Sequence, residues 1–242
     1  MDKKICICTT LWSSINNWII LFLNEYNKRG IDITIVCNMD NGFEQELKEY
    51  YPFVHTYRIG FPRGINALGS LKSIWTLYKF FKKEKFDLVQ YSTPNASMYG
   101  AVASWMARVP VRLYCQWGMV YVTMRGIKRM LFEKIERMVC RFSTHVQPDS
   151  KGNLNFCRDH GLYDKSCVIW NGSAKGLNLE AYDISKKEFY SREIKHQYGI
   201  PEGVPVVGFV GRLGREKGCH ELFRAFQNVK KEFPKAKLLF VG

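Results

Sequence analysis

The stretch Val206-Val-Gly-Phe-Val-Gly-Arg-Leu-Gly-Arg-Glu-Lys-Gly218 decides the fold of the C-terminal part of the chain. Its apolar start predicts a strand, and the glycines that follow predict a turn into a helix. A helix N-terminus carries unpaired N–H groups and partial positive charge, which suit a phosphate. Arg212 and Lys217 add two charges there, so we predict that they bind phosphate. A strand–turn–helix with solvated Arg and Lys would have the same spacing.

Neither of the two common phosphate-binding signatures is present in this stretch. The P-loop order Gly-x4-Gly-Lys-Ser/Thr and the dinucleotide order Gly-x-Gly-x-x-Gly are both missing. The first predicted strand–helix turn, Thr9-Thr-Leu-Trp-Ser-Ser14, has no glycine, which argues against a nicotinamide or flavin cofactor. Its hydroxyls could instead hydrogen-bond a polar substrate such as a sugar.

The composition describes a basic globular protein. The 242 residues include 36 Lys plus Arg against 22 Asp plus Glu, a net charge of +14. This charge fits solubility alone, or a nucleic acid, an anionic membrane or a phosphorylated substrate as partner. No apolar run reaches transmembrane length, and the N-terminus does not resemble a cleaved signal peptide. We therefore expect a cytoplasmic protein with reduced cysteines.

No metal is expected. Cys6 and Cys8 alternate along one predicted strand and lack a second Cys/His pair at zinc-ligand spacing, so we interpret them as core thiols.

Nucleic-acid binding would depend on charge alone, because no RNA-binding signature accompanies the basic residues.

Strands and helices alternate along the first 170 residues. This order predicts an α/β fold, a Rossmann-like doubly wound parallel sheet. The predicted strands cover residues 4–10, 31–37, 54–59, 87–91, 111–115, 144–147 and 165–170.

The predicted organisation has three parts. Residues 1–170 form the N-terminal Rossmann-like domain, residues 171–204 a crossover, and residues 205–242 the first β-α-β unit of a second Rossmann-like domain. Two strands and one helix cannot enclose a core of their own. The last segment is therefore expected to be the incomplete start of that domain.

Small and polar residues follow the predicted strands of the first domain. Ligands of doubly wound sheets bind at the carboxyl ends of the strands. We therefore predict a substrate cleft formed by Thr10, Ser13, Thr93, Trp117 and Gly118. Loops are polar in any case, so each of these residues could equally be solvated. No His or carboxylate stands at a strand end of this domain as a general base, and the catalytic residue stays unknown.

Two predicted helices, residues 71–85 and 125–142, combine apolar and basic residues at helical spacing. Such a helix can lie on an anionic membrane. A helix that packs on a sheet and exposes a basic face has the same pattern, so both interpretations stay open.

The residues now named resemble the retaining glycosyltransferases of family 4, which have the GT-B fold. The similarity is clearest over Val207-Gly-Phe-Val-Gly-Arg-Leu-Gly-Arg-Glu-Lys-Gly-Cys-His-Glu-Leu-Phe-Arg-Ala-Phe226, the opening of the family's second domain. Asn171-Gly-Ser-Ala-Lys-Gly-Leu-Asn-Leu-Glu-Ala-Tyr182 resembles its interdomain crossover. The segments beginning at Asp87 and Arg112 resemble its first-domain strand ends. Members that build capsular or other surface polysaccharides are the most similar.

The resemblance implies an enzyme that transfers a sugar from a nucleotide-sugar donor, usually a UDP-sugar, to a saccharide or lipid-linked acceptor. The first domain would bind the acceptor and the second the donor. No metal or other cofactor is implied, because basic side chains and helix ends neutralise the diphosphate; Arg212 and Lys217 would have that role. Many relatives are peripheral membrane proteins, so the resemblance also implies the inner face of an anionic membrane.

The chain departs from the family pattern at three places. Trp117-Gly118 stands where relatives often have His-Gly, and Asn178 stands where they usually have Asp. The family's donor-binding glutamates would lie beyond residue 242, so we expect this chain to be inactive or nearly so. The alternative from another class is a non-catalytic module that binds an acceptor or a membrane.

Overall fold

The computed structural model describes residues 3–62, 67–119, 121–163, 168–176 and 179–242. The chain divides into two compact units, Met1–Gly176 and Leu177–Gly242. They are called the N-terminal and the C-terminal unit below.

The N-terminal unit contains a six-stranded parallel sheet with the strand order β3-β2-β1-β4-β5-β6. This order reverses between β1 and β4, as in a doubly wound fold, and the predicted fold class is confirmed. The strands are β1 Lys4–Leu11, β2 Asp32–Asn38, β3 Val54–Arg58, β4 Leu88–Tyr91, β5 Val111–Gln116 and β6 His145–Pro148.

Seven helices accompany these strands in the described part of the N-terminal unit. They are α1 Trp12–Trp18, α2 Ile20–Lys28, α3 Asn41–Tyr50, α4 Ala67–Glu84, α5 Pro94–Met106, α6 Gly126–Phe142 and α7 Lys151–Asp159. Within the described ranges, no helix is both long enough and apolar enough to cross a membrane.

Alternation along the central strand β1 divides the core between the two faces of the sheet. Cys6 and Cys8 belong to the larger cluster of buried side chains, with residues of α4, α5 and α6. Ile7, between them, belongs to the cluster formed with α1, α2 and α3. A strand that is buried on both faces reads as a continuous apolar run, as β1 does.

The cysteines pack as core residues. Six of the seven described cysteines are buried, and Cys219 is half-buried. Burial raises the pKa of the Cys37 and Cys115 thiols to about 12. These thiols therefore stay protonated at neutral pH.

The helix after β1 differs from its prediction. In the sequence, Ser13 or Ser14 followed by apolar residues as far as Tyr26 predicts one capped helix. In the structure α1 begins at Trp12 after an uncapped Leu11, and Ile19 separates α1 from α2. Ile19 lies between the two helices with φ −117°, and its side chain is only 4% exposed. The turn at this residue therefore points an apolar side chain into the core.

Two other local expectations have different outcomes. The sequence predicts a helix capped by Asp149 or Ser150. In the structure Ser150 caps α7, since its hydroxyl accepts a hydrogen bond from Asn153 N at 3.2 Å. The seventh strand was placed at residues 165–170. Residues 164–167 lie outside the described part of the chain, and residues 168–170 do not form a strand.

The segment after this point packs closely on the start of α7. Gly172 has φ +93°, and a β-carbon there would lie 2.6 Å from the backbone oxygen of Asp149. That oxygen accepts a hydrogen bond from Ser173 N at 2.7 Å. Only glycine combines this backbone conformation with so close an approach.

The C-terminal unit contains the predicted β-α-β unit. β7 Val206–Val210 pairs in parallel with β8 Lys237–Val241, and α9 Cys219–Glu232 lies between them in sequence. Helix α8, Lys187–Gln197, precedes them. Ala236 is the only apolar residue described in this unit that is buried, so its sheet has little core.

Candidate functional site

A cavity of about 500 Å³ lies in the N-terminal unit at the carboxyl ends of β4 and β5. Residues of α5, α6 and the segment after β5 form most of its wall. The lining consists of Trp18, Ser70, Thr93, Pro94, Asn95, Ser97, Met98, Tyr114, Trp117, Gly118, Met119, Tyr121, Leu131, Phe132, Ile135, Glu136 and Val139. This position and volume are typical of small-molecule sites in α/β proteins.

Two stacked indoles form part of this wall. The rings of Trp18 and Trp117 lie 5.5 Å apart with an angle of 26° between them. The Lys175 ammonium lies 5.9 Å from the centre of the Trp18 ring, within cation–π distance. Gly118 follows with φ +118°, a conformation that favours glycine. Trp117 and Gly118, two of the predicted cleft residues, therefore line the cavity.

Two threonine hydroxyls join the ends of β1 and β4. Thr10 Oγ1 and Thr93 Oγ1 are 2.7 Å apart, and Thr10 N also donates to Thr93 Oγ1 at 2.9 Å. Thr10 Oγ1 accepts a hydrogen bond from Ala96 N at 3.3 Å, in the first turn of α5. Thr93 has φ +70°, immediately before Pro94. This bridge sets the position of the start of α5 at the cavity.

Glu136 is the carboxylate of the cavity wall. It accepts hydrogen bonds from Tyr114 Oη at 3.0 Å and from the Gln116 side-chain amide. Gln116 Oε1 in turn accepts from Tyr163 Oη at 3.0 Å. Burial raises the pKa of the Glu136 carboxyl above its ordinary value, and the hydrogen bonds from Gln116 and Tyr114 oppose that rise.

The structure brings together three of the five predicted cleft residues, since Thr93, Trp117 and Gly118 all line the cavity. Thr10 reaches it only through Thr93. Ser13 lies in α1 and is not among the lining residues. Contact of these residues with a substrate stays a prediction.

Sequence reasoning missed Glu136, because it looked for carboxylates only at strand ends. The missed signal is the position of Glu136 on the apolar side of α6, at helical spacing from Phe132 and Val139. Among the described residues, no group of three or more His, Cys, Asp and Glu side chains is arranged to hold a metal ion.

The predicted phosphate site lies in the C-terminal unit. Arg212 is exposed and pairs with Glu216, with 3.5 Å between nitrogen and oxygen. Lys217 ends a short 3-10 turn, and Gly218, with φ +73°, precedes α9. Gly218 has no side chain to cap the helix. In the chain, the N–H groups of the first turn of α9 thus come shortly after Arg212 and Lys217.

The first unit has the architecture of the N-terminal domain of GT-B glycosyltransferases. Residues 15–173 match the family described as Glycosyltransferase Family 4, and residues 191–242 match Glycosyl transferases group 1. The first match covers more than half of the chain, so the protein belongs to glycosyltransferase family 4.

Two curated relatives are similar to this chain over part of their length. It is 27% identical over 217 residues to the capsular polysaccharide biosynthesis glycosyltransferase CapM of Staphylococcus aureus, covering 89% of this chain and 55% of CapM. It is 27% identical over 160 residues to the UDP-Gal:alpha-D-GlcNAc-diphosphoundecaprenol alpha-1,3-galactosyltransferase of Escherichia coli, covering 64% of this chain and 39% of that enzyme.

A similar solved structure is that of HepE from Anabaena in complex with UDP and glucose. It superposes with a TM-score of 0.71 at 19% identity, covering 98% of this chain and 60% of HepE. This likeness shows the fold. The chain spans about half the length of the curated relatives that it matches.

Proposed function

We propose that the protein takes part in transferring a sugar from a UDP-sugar to a saccharide or lipid-linked acceptor during surface polysaccharide synthesis. The observation that carries this proposal is the cavity at the carboxyl ends of β4 and β5 in a family 4 chain. The names of the two relatives, a capsular glycosyltransferase and a galactosyltransferase that acts on a diphosphoundecaprenol, support the acceptor class.

On this proposal the N-terminal unit binds the acceptor, and the turn before α9 binds the diphosphate of the donor. The Arg212–Glu216 ion pair is exposed, and such pairs add little stability, so a diphosphate can replace Glu216 as the partner of Arg212. Lys217 and the N-terminus of α9 add positive charge to the same turn. Together they stabilise negative charge on the departing nucleoside diphosphate.

The experiment is a transfer assay. The purified protein is incubated with radiolabelled UDP-sugars and an undecaprenyl-diphosphate-linked saccharide, and label is measured in the lipid fraction. Binding of the unlabelled acceptor is measured in parallel. Transfer that Arg212→Ala abolishes and Arg224→Ala preserves supports the proposal and overturns the expectation that this chain is inactive. Arg224 serves as the control because it is a cation of α9 outside the predicted site.

The same assay separates the alternative function. Acceptor binding without transfer supports a non-catalytic acceptor-binding module. The absence of both transfer and acceptor binding contradicts the proposed function.

We also propose that α6 attaches the protein to the cytoplasmic face of an anionic membrane. Ile127 is 84% exposed and Met130 is 58% exposed in the first two turns of this helix. Lys128, Arg129 and Lys134 lie on the same helix. Exposed apolar side chains beside cations suit the boundary between acyl chains and anionic headgroups.

Liposome flotation tests this attachment. We expect binding to vesicles that contain phosphatidylglycerol and much weaker binding to pure phosphatidylcholine vesicles. Ile127→Glu should abolish flotation. Ile184→Glu is the matched control, because Ile184 is 83% exposed but lies outside α6. Equal loss with both variants would contradict a specific role of α6.

A further inference from the structure

The hydroxyl, amide and carboxylate side chains of the cavity wall each make a hydrogen bond within the protein. Thr93 Oγ1 pairs with Thr10 Oγ1, and Ser97 Oγ donates to Thr93 O at 2.7 Å. Asn95 Nδ2 donates to Pro62 O at 2.6 Å. A sugar binds through many hydroxyls, each of which needs a partner, and these groups offer few free ones.

The deeper polar groups are engaged in the same way. Tyr114 donates to Glu136, whose carboxylate also accepts from the Gln116 amide. These polar groups are paired among themselves. Most of the surface that faces the cavity consists of carbon and sulfur atoms. A cavity with such a wall favours an apolar ligand.

The apolar wall continues to the protein surface along α6. Ile135 and Val139 line the cavity, as does Leu131, which is 41% exposed. Ile127 and Met130, the exposed residues proposed to touch the membrane, lie within about one turn of Leu131 on this helix. An apolar chain could therefore pass from a lipid phase into the cavity without crossing a polar surface.

Positive charge accompanies this path. Lys175 lies over the Trp18 ring at the cavity wall, and Lys128 and Arg129 are on the same helix as Leu131. An apolar cavity with cations nearby matches a hydrocarbon chain that carries an anionic head.

We propose that this cavity binds the hydrocarbon chain of a polyprenyl-diphosphate-linked acceptor and that the nearby cations face its diphosphate. The inference rests on the proposed function, which it deepens by assigning the cavity to the lipid rather than to the sugar. The volume of about 500 Å³ holds the first part of such a chain, and the remainder would stay in the membrane.

Binding of farnesyl diphosphate to the purified protein tests the inference, with inorganic diphosphate and farnesol as comparison ligands. The farnesyl diphosphate concentration is kept below its aggregation limit, and quenching of Trp fluorescence or calorimetry measures affinity. We expect farnesyl diphosphate to bind more tightly than either part alone. Binding no tighter than that of inorganic diphosphate would overturn the inference.

A cavity-filling variant locates the binding site. Ile135→Trp should weaken farnesyl diphosphate about tenfold, the effect of excluding roughly two methylenes from burial. Ile184→Trp, the same substitution at an exposed isoleucine outside α6 and outside the cavity wall, should leave affinity unchanged. Equal effects of both variants would overturn the assignment to the cavity.

A second measurement needs no variant. A photoreactive farnesyl diphosphate analogue should label α6 or the segment 117–119 of the wild-type protein, and labelling confined to other segments would overturn the inference. Farnesyl diphosphate binding without sugar transfer would leave the inference standing and remove the proposed function. Transfer to a water-soluble saccharide without such binding would do the reverse.

Discussion

Glu136 illustrates how burial and hydrogen bonding act on one side chain. Its carboxyl faces an apolar cavity, which disfavours the charged form and raises its pKa. Tyr114 and Gln116 donate to the carboxylate and limit that rise. The folded protein therefore holds this proton to a higher pH than the unfolded chain does.

This difference predicts a pH-dependent stability. Between the ordinary pKa near 4.5 and the raised pKa, the folded state binds more protons, so the free energy of unfolding falls as pH rises. The contribution of Glu136 to the free energy of unfolding is complete below the ordinary pKa, and it is lost as pH rises through the raised pKa. Glu136→Gln keeps an acceptor oxygen but does not titrate, so wild type should lose stability relative to this variant as pH rises.

Urea unfolding of both proteins at a series of pH values measures the effect. Glu133→Gln, on the same helix and outside the cavity wall, controls for the change in helix charge. If the difference between wild type and Glu136→Gln does not change with pH, the carboxyl is not desolvated as described.

The elements show where sequence patterns suffice. Each strand of the six-stranded sheet was predicted within one residue at either end, because short apolar runs bounded by turn residues predict strands. The break at Ile19 was missed, since the apolar periodicity continues across it and only packing of α1 and α2 on the sheet requires it. The positive φ of Thr93 was likewise not predicted, because no residue around Thr93 indicates it.

The segment around Gly172 yields a prediction about backbone geometry. Gly172→Ala should cost about 2–4 kcal/mol, because the new β-carbon meets Asp149 O while φ stays positive. Gly176→Ala is the matched control, since Gly176 has φ +70° but no atom within 4 Å of a β-carbon, and it should cost only about 1 kcal/mol. Denaturant unfolding followed by Trp fluorescence measures both, and equal costs would show that Asp149 does not constrain this segment.

For the whole molecule, burial is distributed unequally. Among the described residues, every buried apolar side chain except Ala236 belongs to the N-terminal unit. In the C-terminal unit Val210 is 83% exposed and Phe223 is 55% exposed. Local stability follows buried apolar area, so the two units should differ.

Amide hydrogen exchange tests this difference. Amides of β7 and β8 should exchange at least about a hundredfold faster than those of β1 and β4, which corresponds to roughly 3 kcal/mol less local stability. Similar protection in both pairs of strands would contradict an unequal core.

The fold was more accessible to sequence reasoning than the cavity was. The doubly wound class follows from the alternation of strands and helices, and the strand ends led to Thr93, Trp117 and Gly118, which line the cavity. The remaining wall comes from α5 and α6, whose side chains reach it only through tertiary packing. For that reason Glu136, in the middle of α6, was missed by a search of strand ends, although its helical spacing from Phe132 and Val139 placed it on the apolar side of that helix.

The burial of the cysteines has a practical consequence. Among the described cysteines, Cys219 alone is not buried, and its sulfur lies 3.9 Å from Arg212 O, beside the predicted diphosphate site. With Cys167, which lies outside the described residues, replaced by Ser, a maleimide dye would attach selectively at Cys219. Its emission would then report nucleotide arrival in real time, with no radioactive donor and no knowledge of the acceptor.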